Sequence, residues 1–378
     1  GGKGKARFGV ISAASGNPCC DEDSSWAYYE SQLLKYGAAE VYYIPITIDT
    51  TGNNSNPEVI SHIRTLTGFF FGGGDQSKIV ASFYNEDQRV PSPALIAIRE
   101  TLLATGGVVA GTSAGTDVQT LNTMITGGTS FAGLLAGTQT NWYIQDLPGQ
   151  SLLTAYGPGG IATFPYGLLD THFANRGRHG RFLAMAVDTA SHPVGTHLGF
   201  GVDENTALVV TGEWGHRVGT VVGERGVFIA DTSRVDASPP SATAYRRMMH
   251  VKGSRLSAGD SVDLLTTTIS FAKYKTPMAP KELDTDPLTS KDIFGEYAFE
   301  WDEVVQSLFL STHLSAFGVT AQTRPTGFQV TFSKELPPAS SNEDCSAEGF
   351  DGIDPTTGLY AFGYRCLWVD IMPTVVVS

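Results

Sequence analysis

The stretch Val108-Val109-Ala110-Gly111-Thr112-Ser113-Ala114-Gly115 constrains this chain more than any other. An apolar run too short for a helix meets Gly-x-Ser-x-Gly, and a helix-compatible segment from about Thr116 to Thr126 follows. Strand, sharp turn and helix in that order are what a nucleophile elbow requires. The strand would carry Ser113 to the carboxyl edge of a sheet. Gly111 and Gly115 would spare the turn the Cβ atoms that clash in so tight a bend. Backbone N–H groups at the start of the next helix, Ala114 among them, would then face a developing oxyanion. The plainer alternative is a glycine-rich turn whose serine caps a helix. The neighbouring segments have to decide between the two.

On either side of this stretch, short apolar runs alternate with amphipathic ones. Phe8–Ala14 reads as a buried strand, and Ser24-Ser25 caps a helix with Trp26, Tyr29, Leu33 and Tyr36 on one face, ended by Gly37. Val41–Ile46 is a second strand, Pro57–Thr67 a short helix, and Gly68–Phe71 a third strand running into Gly72-Gly73-Gly74-Asp75-Gln76. Ser92–Ala104 is an amphipathic helix leading to the serine strand. Such alternation with short loops implies an α/β fold with a parallel sheet covered on both faces. Ligands of such a sheet gather at the carboxyl ends of its strands. The Gly73–Gln76 loop and the elbow therefore fall on one edge, where Gly74 offers a bare N–H and Gln76 an amide.

Farther on, Tyr166–Asp170 reads as a strand leading to Thr171 and His172, followed by Arg176, Arg178 and Arg181 as a helix opens. A histidine just past a strand end suits a general base. Arginines crowd the positive end of a helix dipole unfavourably, so a carboxylate-bearing ligand is the better reason for them. Leu198–Val210 reads as strand, acidic turn and strand around Asp203 and Glu204, and β-like runs continue to Leu265. From about Thr276 the texture changes to prolines and lysines, then an acidic, aromatic stretch over Asp292–Asp302. The expected division is therefore an α/β domain over residues 6–277 and a β-rich extension over 278–378.

At 378 residues the chain can bury a large core. Only 17% of its residues are charged and the net charge is −13, which argues against nucleic acid as partner. No apolar run of about 18 residues exists, so no membrane span is expected. The opening Gly1–Lys5 has no apolar signal region, as in a processed chain. Cys19, Cys20, Cys345 and Cys366 show no metal-binding spacing and read as disulfide candidates. Vicinal Cys19 and Cys20 would pair more easily with distant partners than with each other, and Cys345 with Cys366 would close a local loop. Asn53-Asn54-Ser55 is a glycosylation acceptor pattern. These features together point to a secreted, extracellular protein.

Taken in order, the motifs resemble the peptidase family that contains cyanophycinase and aspartyl dipeptidase. Phe71-Gly72-Gly73-Gly74-Asp75-Gln76 is similar to its Gly-Gly-Asp-Gln loop, and Gly111–Gly115 to its nucleophile motif. Asp170-Thr171-His172-Phe173 resembles its Asp-Gln-His-Phe, the spaced arginines follow, and Gly201–Ala207 resembles its acidic turn. The likeness covers about residues 6–270. It implies a flavodoxin-like three-layer sandwich akin to class I glutamine amidotransferase domains, working without a metal or organic cofactor. It also implies a serine peptidase acting on aspartyl or isoaspartyl peptides, and a homodimer at the level of the family. Ser113 would be the nucleophile and His172 its base, with Gly74 and Ala114 in the oxyanion hole. Gln76, Asp170, Thr171, Arg176, Arg178 and Arg181 would make up the substrate-binding set.

The chain departs from the family in two places. Where the family carries the triad acid, this chain reads Gly127-Gly128-Thr129-Ser130-Phe131-Ala132-Gly133, and the glutamine before the histidine is Thr171. Without a carboxylate to orient it, the histidine loses turnover, about 10⁴-fold in the Ser-His-Asp protease example. Glu204, Asp203, Asp170 and Asp146 are the candidate replacements, Glu204 being set beside Ser113 and His172, and the sequence alone does not choose among them. The alternative is a catalytically silent scaffold that binds an acidic ligand or partner.

Overall fold

A computed structural model of the chain describes residues 2–85, 90–141, 152–213, 215–241, 244–335 and 345–374. Asp146 lies outside the described residues. The chain divides into two compact units. The first holds Gly1–Thr126, Thr140–Gly149 and Thr154–Pro165; the second holds Gly127–Gln139, Gln150–Leu153 and Tyr166–Ser378.

The first unit is built on the strands Arg7–Ile11, Glu40–Tyr43, Gly68–Phe71 and Val108–Gly111. All their pairings are parallel, and in chain order the strands lie 2-1-3-4 across the sheet. Parallel strands need crossovers, and helices supply them. Local chemistry starts each one. Ser24 caps Ser25–Lys35, Asn56 caps Pro57–Ile63, Asp75 caps Gln76–Phe83 and Ser92 caps Pro93–Thr105, each side chain accepting a first-turn N–H. Ile11, Phe69, Phe71, Ile79, Phe83, Leu95 and Ile98 are fully buried in one core. Burying each such side chain contributes roughly 1.5–3 kcal/mol, so the core, rather than helix propensity, holds the strand ends in place.

One element is much shorter than the sequence suggests. The helix after the serine spans only Ala114–Asp117, and Met124–Thr126 is a strand paired antiparallel with Thr154–Tyr156. One distant and one local partner claim the intervening backbone: the Phe164 carbonyl accepts the Leu121 N–H, and the Thr120 hydroxyl accepts the Asn122 N–H. Competition of this kind explains why Thr and Asn runs leave helices early.

The second unit is organised by an extended sheet. From one edge its strands run Leu168–Thr171, Leu198–Val202, Gly226–Asp231, Arg247–Ser257, Tyr360–Thr374, Gly327–Ser333 and Ser315–Val319. The first pair is parallel and the others antiparallel. The expected division at residue 278 therefore falls inside one folded unit. The last hundred residues are β-rich as expected, but their longest strand pairs directly with Arg247–Ser257, through Lys252↔Trp368 and Gly253↔Leu367. Trp301, Phe332 and Tyr364 are buried in the same unit as Phe173, Phe182 and Phe228. The change of texture near Thr276 marks the strand-to-loop transition on the way to the second half of this sheet.

One further expectation changes. Cys19 pairs with its neighbour Cys20, and Cys345 pairs with Cys366 as expected. Asn53 sits in a short 3₁₀ turn, Thr51–Ser55, where its side-chain amide donates to the Pro45 carbonyl at 2.7 Å. That bond uses one of the two hydrogens on the amide nitrogen. No described helix is long and apolar enough to cross a membrane.

Candidate active site

In the first unit the serine strand ends on a strained residue. Ser113 has φ 52° and ψ −123°, a conformation costing about 1–3 kcal/mol for a side chain other than glycine. The glycines around it explain how the turn closes. A Cβ on Gly111 would lie 2.0 Å from the Gly115 carbonyl oxygen, and one on Gly115 would lie 2.0 Å from that of Phe71. Gly73 approaches the elbow so closely that its Cβ would stand 3.3 Å from the Ser113 Cβ. Gly74 has φ +135°, and a Cβ there would meet the Ala14 carbonyl at 2.1 Å. Close backbone approach, not flexibility, fixes these glycines.

The Gly72–Gln76 loop is less bare than its sequence suggests. Gly72 donates its N–H to Ile11 O, Gly73 to the Tyr29 hydroxyl at 3.1 Å, and Asp75 to Ala14 O. Among the described residues, the N–H groups of Gly74 and Ala114 have no acceptor, so these two remain for an oxyanion. Gln76 is buried, and its amide nitrogen donates to the Ile125 carbonyl at 2.7 Å. That bond anchors the strand Met124–Thr126 rather than reaching outward for a substrate main chain. Sequence reading placed Tyr29 only on an apolar helix face; its hydroxyl also steers the glycine loop.

In the second unit the parallel pairing of Leu168–Thr171 with Leu198–Val202 ends at Thr171↔Val202. Two chain segments therefore leave the sheet side by side, one carrying His172 and the other Asp203 and Glu204. His172 Nδ1 lies 2.8 Å from Glu204 Oε1. An ionised carboxylate only accepts, so Nδ1 carries the proton and Nε2 is the unprotonated nitrogen of the neutral ring. Burial pushes the imidazole below its ordinary value, the Glu204 hydrogen bond opposes that, and Arg176 and Arg178 add to the lowering. The Glu204 carboxyl is held below its ordinary value chiefly by the His172 hydrogen bond, with burial opposing and the Asn175 side chain helping. Nothing in the sequence assigns Asn175 a role; only the fold brings it to Glu204.

The other acids serve different ends. Asp203 is buried; Oδ1 accepts the Ala174 N–H at 2.9 Å and Oδ2 the Gly226 N–H at 3.1 Å. Burial raises its carboxyl to about 6, against the pull of Arg255. Asp170 is fully buried and receives Arg181 through Nε at 2.9 Å and Nη2 at 2.5 Å, and Arg178 through Nη1 at 3.0 Å. Burial alone would raise its carboxyl, but the two guanidinium groups hold it below the ordinary value.

This network corrects the expected substrate-binding set. Arg181 spends Nη1 on the carbonyls of Gly127 and Gly128 as well, so four of its five N–H groups are engaged inside the protein. Arg178 also donates to the Thr171 carbonyl, and Thr171 itself is buried. Asp170, Thr171, Arg178 and Arg181 therefore form the support beneath His172. Arg176 alone of the three arginines is exposed, and among the described residues it makes no ion pair. Its charge depresses the protonation of both His172 and Glu204, which places it beside them.

No protein-family profile matches the chain. A cyanophycinase of Synechococcus elongatus is 27% identical over 278 residues, which are 72% of this chain and 74% of that protein. One of Trichormus variabilis is 27% identical over 279 residues, 72% of this chain and 80% of its own. One of Geminocystis herdmanii is 25% identical over 253 residues. Among solved structures, a peptidase from an acI-B1 Actinobacterium is 18% identical, covers 68% of this chain and 83% of its own, and superposes with a TM-score of 0.42.

Proposed function

We propose that this cyanophycinase-like chain is a serine peptidase that cleaves aspartyl or isoaspartyl peptide bonds through an acyl-enzyme. The observation that carries the reading is the 2.8 Å contact between His172 Nδ1 and Glu204 Oε1. It supplies the orienting carboxylate that is missing from the residues after the serine. The silent-scaffold alternative draws on that missing acid and on the hundred-odd residues after 277; the Glu204 contact supports the catalytic reading over it.

In this reading Ser113 Oγ attacks the scissile carbonyl while His172 Nε2 takes its proton. Glu204 stabilises the imidazolium that forms, without itself being protonated. The N–H groups of Gly74 and Ala114 receive the negative oxygen, a contribution of about 3–4 kcal/mol per donor in comparable sites. His172 then protonates the leaving amine, and water repeats the sequence to free Ser113. Arg176, exposed and unsaturated, is the group suited to the substrate's free carboxylate. The parallel order 2-1-3-4 supports a flavodoxin-like arrangement for the first unit. The paired cysteines support a secreted location, where disulfides persist.

The test compares β-Asp-Arg hydrolysis by the wild type and by Glu204→Gln. The reading expects a loss of about 10³–10⁴ in kcat, the size seen when a triad carboxylate is neutralised. Unchanged turnover in Glu204→Gln would contradict the assignment of the acid.

A further inference from the structure

The last hundred residues lie against the His172 loop at several points. The Tyr297 N–H donates to the Asn175 carbonyl at 2.6 Å, and Asn175 in turn bonds Glu204. Gly177 has φ +53°, and a Cβ there would stand 2.1 Å from the Phe294 carbonyl oxygen. Trp301 stacks on His179 with ring centroids 4.2 Å apart and planes 11° from parallel. Tyr297 and Phe299 both hold positive φ, at 61° and 56°, as do His172 at 50° and Asn205 at 53°. Strained residues thus occur on the loop carrying the histidine, just after Glu204, and on the segment that covers that loop. Strain of this kind persists only where the surroundings over-determine it.

A chain of charges runs through the same contact. Arg255 Nη2 lies 3.3 Å from Asp203 Oδ2 and 3.2 Å from Asp302 Oδ2, and Nη1 donates to the Phe362 carbonyl at 3.0 Å. Asp302 and Phe362 both belong to the region after residue 278. One guanidinium is therefore divided almost evenly between an acid on each side. Asp203 Oδ2 accepts the Gly226 N–H as well, while Oδ1 holds Ala174, two residues past His172. Asp203 thus ties the histidine loop to the turn that bears Glu204, and Arg255 sets how strongly its Oδ2 is drawn away from Gly226.

We propose that Asp302 is a positioning residue for the His172–Glu204 pair, acting through Arg255 and Asp203. The proposal rests on the reading of His172 as the catalytic base. Asp302 competes with Asp203 for the same Arg255 Nη2. Without Asp302, the guanidinium closes on Asp203 Oδ2, competes with Gly226, and shifts the Ala174 anchor relative to Glu204. The residues after 278 are then part of the machinery, not an addition to it.

The experiment compares wild type, Asp302→Asn and Asp302→Glu by two readouts. The first is kcat and KM on β-Asp-Arg. The second is the low-field proton resonance of an imidazole N–H bonded to a carboxylate, assigned by its loss in Glu204→Gln. Asp302→Asn is expected to lower kcat by about 10–100-fold, the cost of a small misplacement far from the chemistry, with KM little changed. The low-field proton should broaden or vanish, and Asp302→Glu should restore much of both. An Asp302→Asn protein that melts earlier but keeps the wild-type kcat and the low-field proton would overturn the proposal, leaving Asp302 a stabilising residue only. Should Asp302→Asn fail to fold, Arg255→Lys is read by the same criteria. If the wild type shows no Ser113-dependent turnover, the proposed reaction fails, while the proton resonance still decides the positioning claim.

Discussion

At His172 opposing influences meet on one imidazole. Burial and the neighbouring arginines favour the neutral ring, and Glu204 favours the charged one, with a net lowering from 6.5. A base must be neutral to work, so activity rises with pH through this group's folded value. The acid limb of kcat/KM is therefore expected below the ordinary histidine value. Arg176→Ala should move that limb up and Glu204→Gln should move it farther down; a pH–rate series in which Arg176→Ala moves it down would contradict the electrostatics. Asp170→Asn should cost about 3–5 kcal/mol in denaturant unfolding, because Arg178 and Arg181 would keep their burial and lose their partner. The turn at Ser113, the strand end before His172 and the turn bearing Asp203 and Glu204 are legible in the sequence, because a glycine pair, a short apolar run and an acidic break each have a local signature; which acid meets His172 is not. The roles of Arg178 and Arg181 are not. Their partner lies 8 and 11 residues away on a buried strand, and nothing in the spacing says whether an arginine faces a ligand or an internal carboxylate.

Among the elements, the parallel strands and three of the four capped helices follow from alternation, whereas the helix Gln76–Phe83, started by Asp75, hides behind a glycine run that reads as a loop. The helix after Ser113 does not follow either, because its propensity loses to the local bond from the Asn122 N–H to the Thr120 hydroxyl and to the Phe164 carbonyl, which accepts the Leu121 N–H only once the chain has folded. The turn before it is set by contact distances. Gly115→Ala would force a methyl group against the Phe71 carbonyl, and the expected cost is about 1–3 kcal/mol of stability together with a displaced serine. A melting curve and a rate on the same sample check both, and a Gly115→Ala protein with wild-type stability would show that the elbow has room the structure denies.

For the molecule as a whole, the last hundred residues close the second unit's sheet, a long-range pairing that a local change of composition disguised as a boundary. Removing residues 278–378 would bare the Arg247–Ser257 strand and strip Trp301 from His179, so that product is expected not to fold. A cooperative thermal transition for residues 1–277 would contradict this. His179 adds a pH dependence to stability. It is fully buried and its folded value lies well below 6.5, because burial penalises the charged ring. Its stabilising effect is complete above the unfolded value and is lost as pH falls toward the folded one. Melting temperature should therefore drop more steeply between about pH 6.5 and 5 in the wild type than in His179→Phe. The measurement that tests the central claim most directly is amine release from β-Asp-Arg, β-Asp-Lys, α-Asp-Leu and Ala-Leu by the wild type and by Ser113→Ala. The account predicts cleavage of the β-linked dipeptides that disappears in Ser113→Ala. Turnover retained by the mutant, or no cleavage of any aspartyl dipeptide by well-folded wild-type protein, would contradict it.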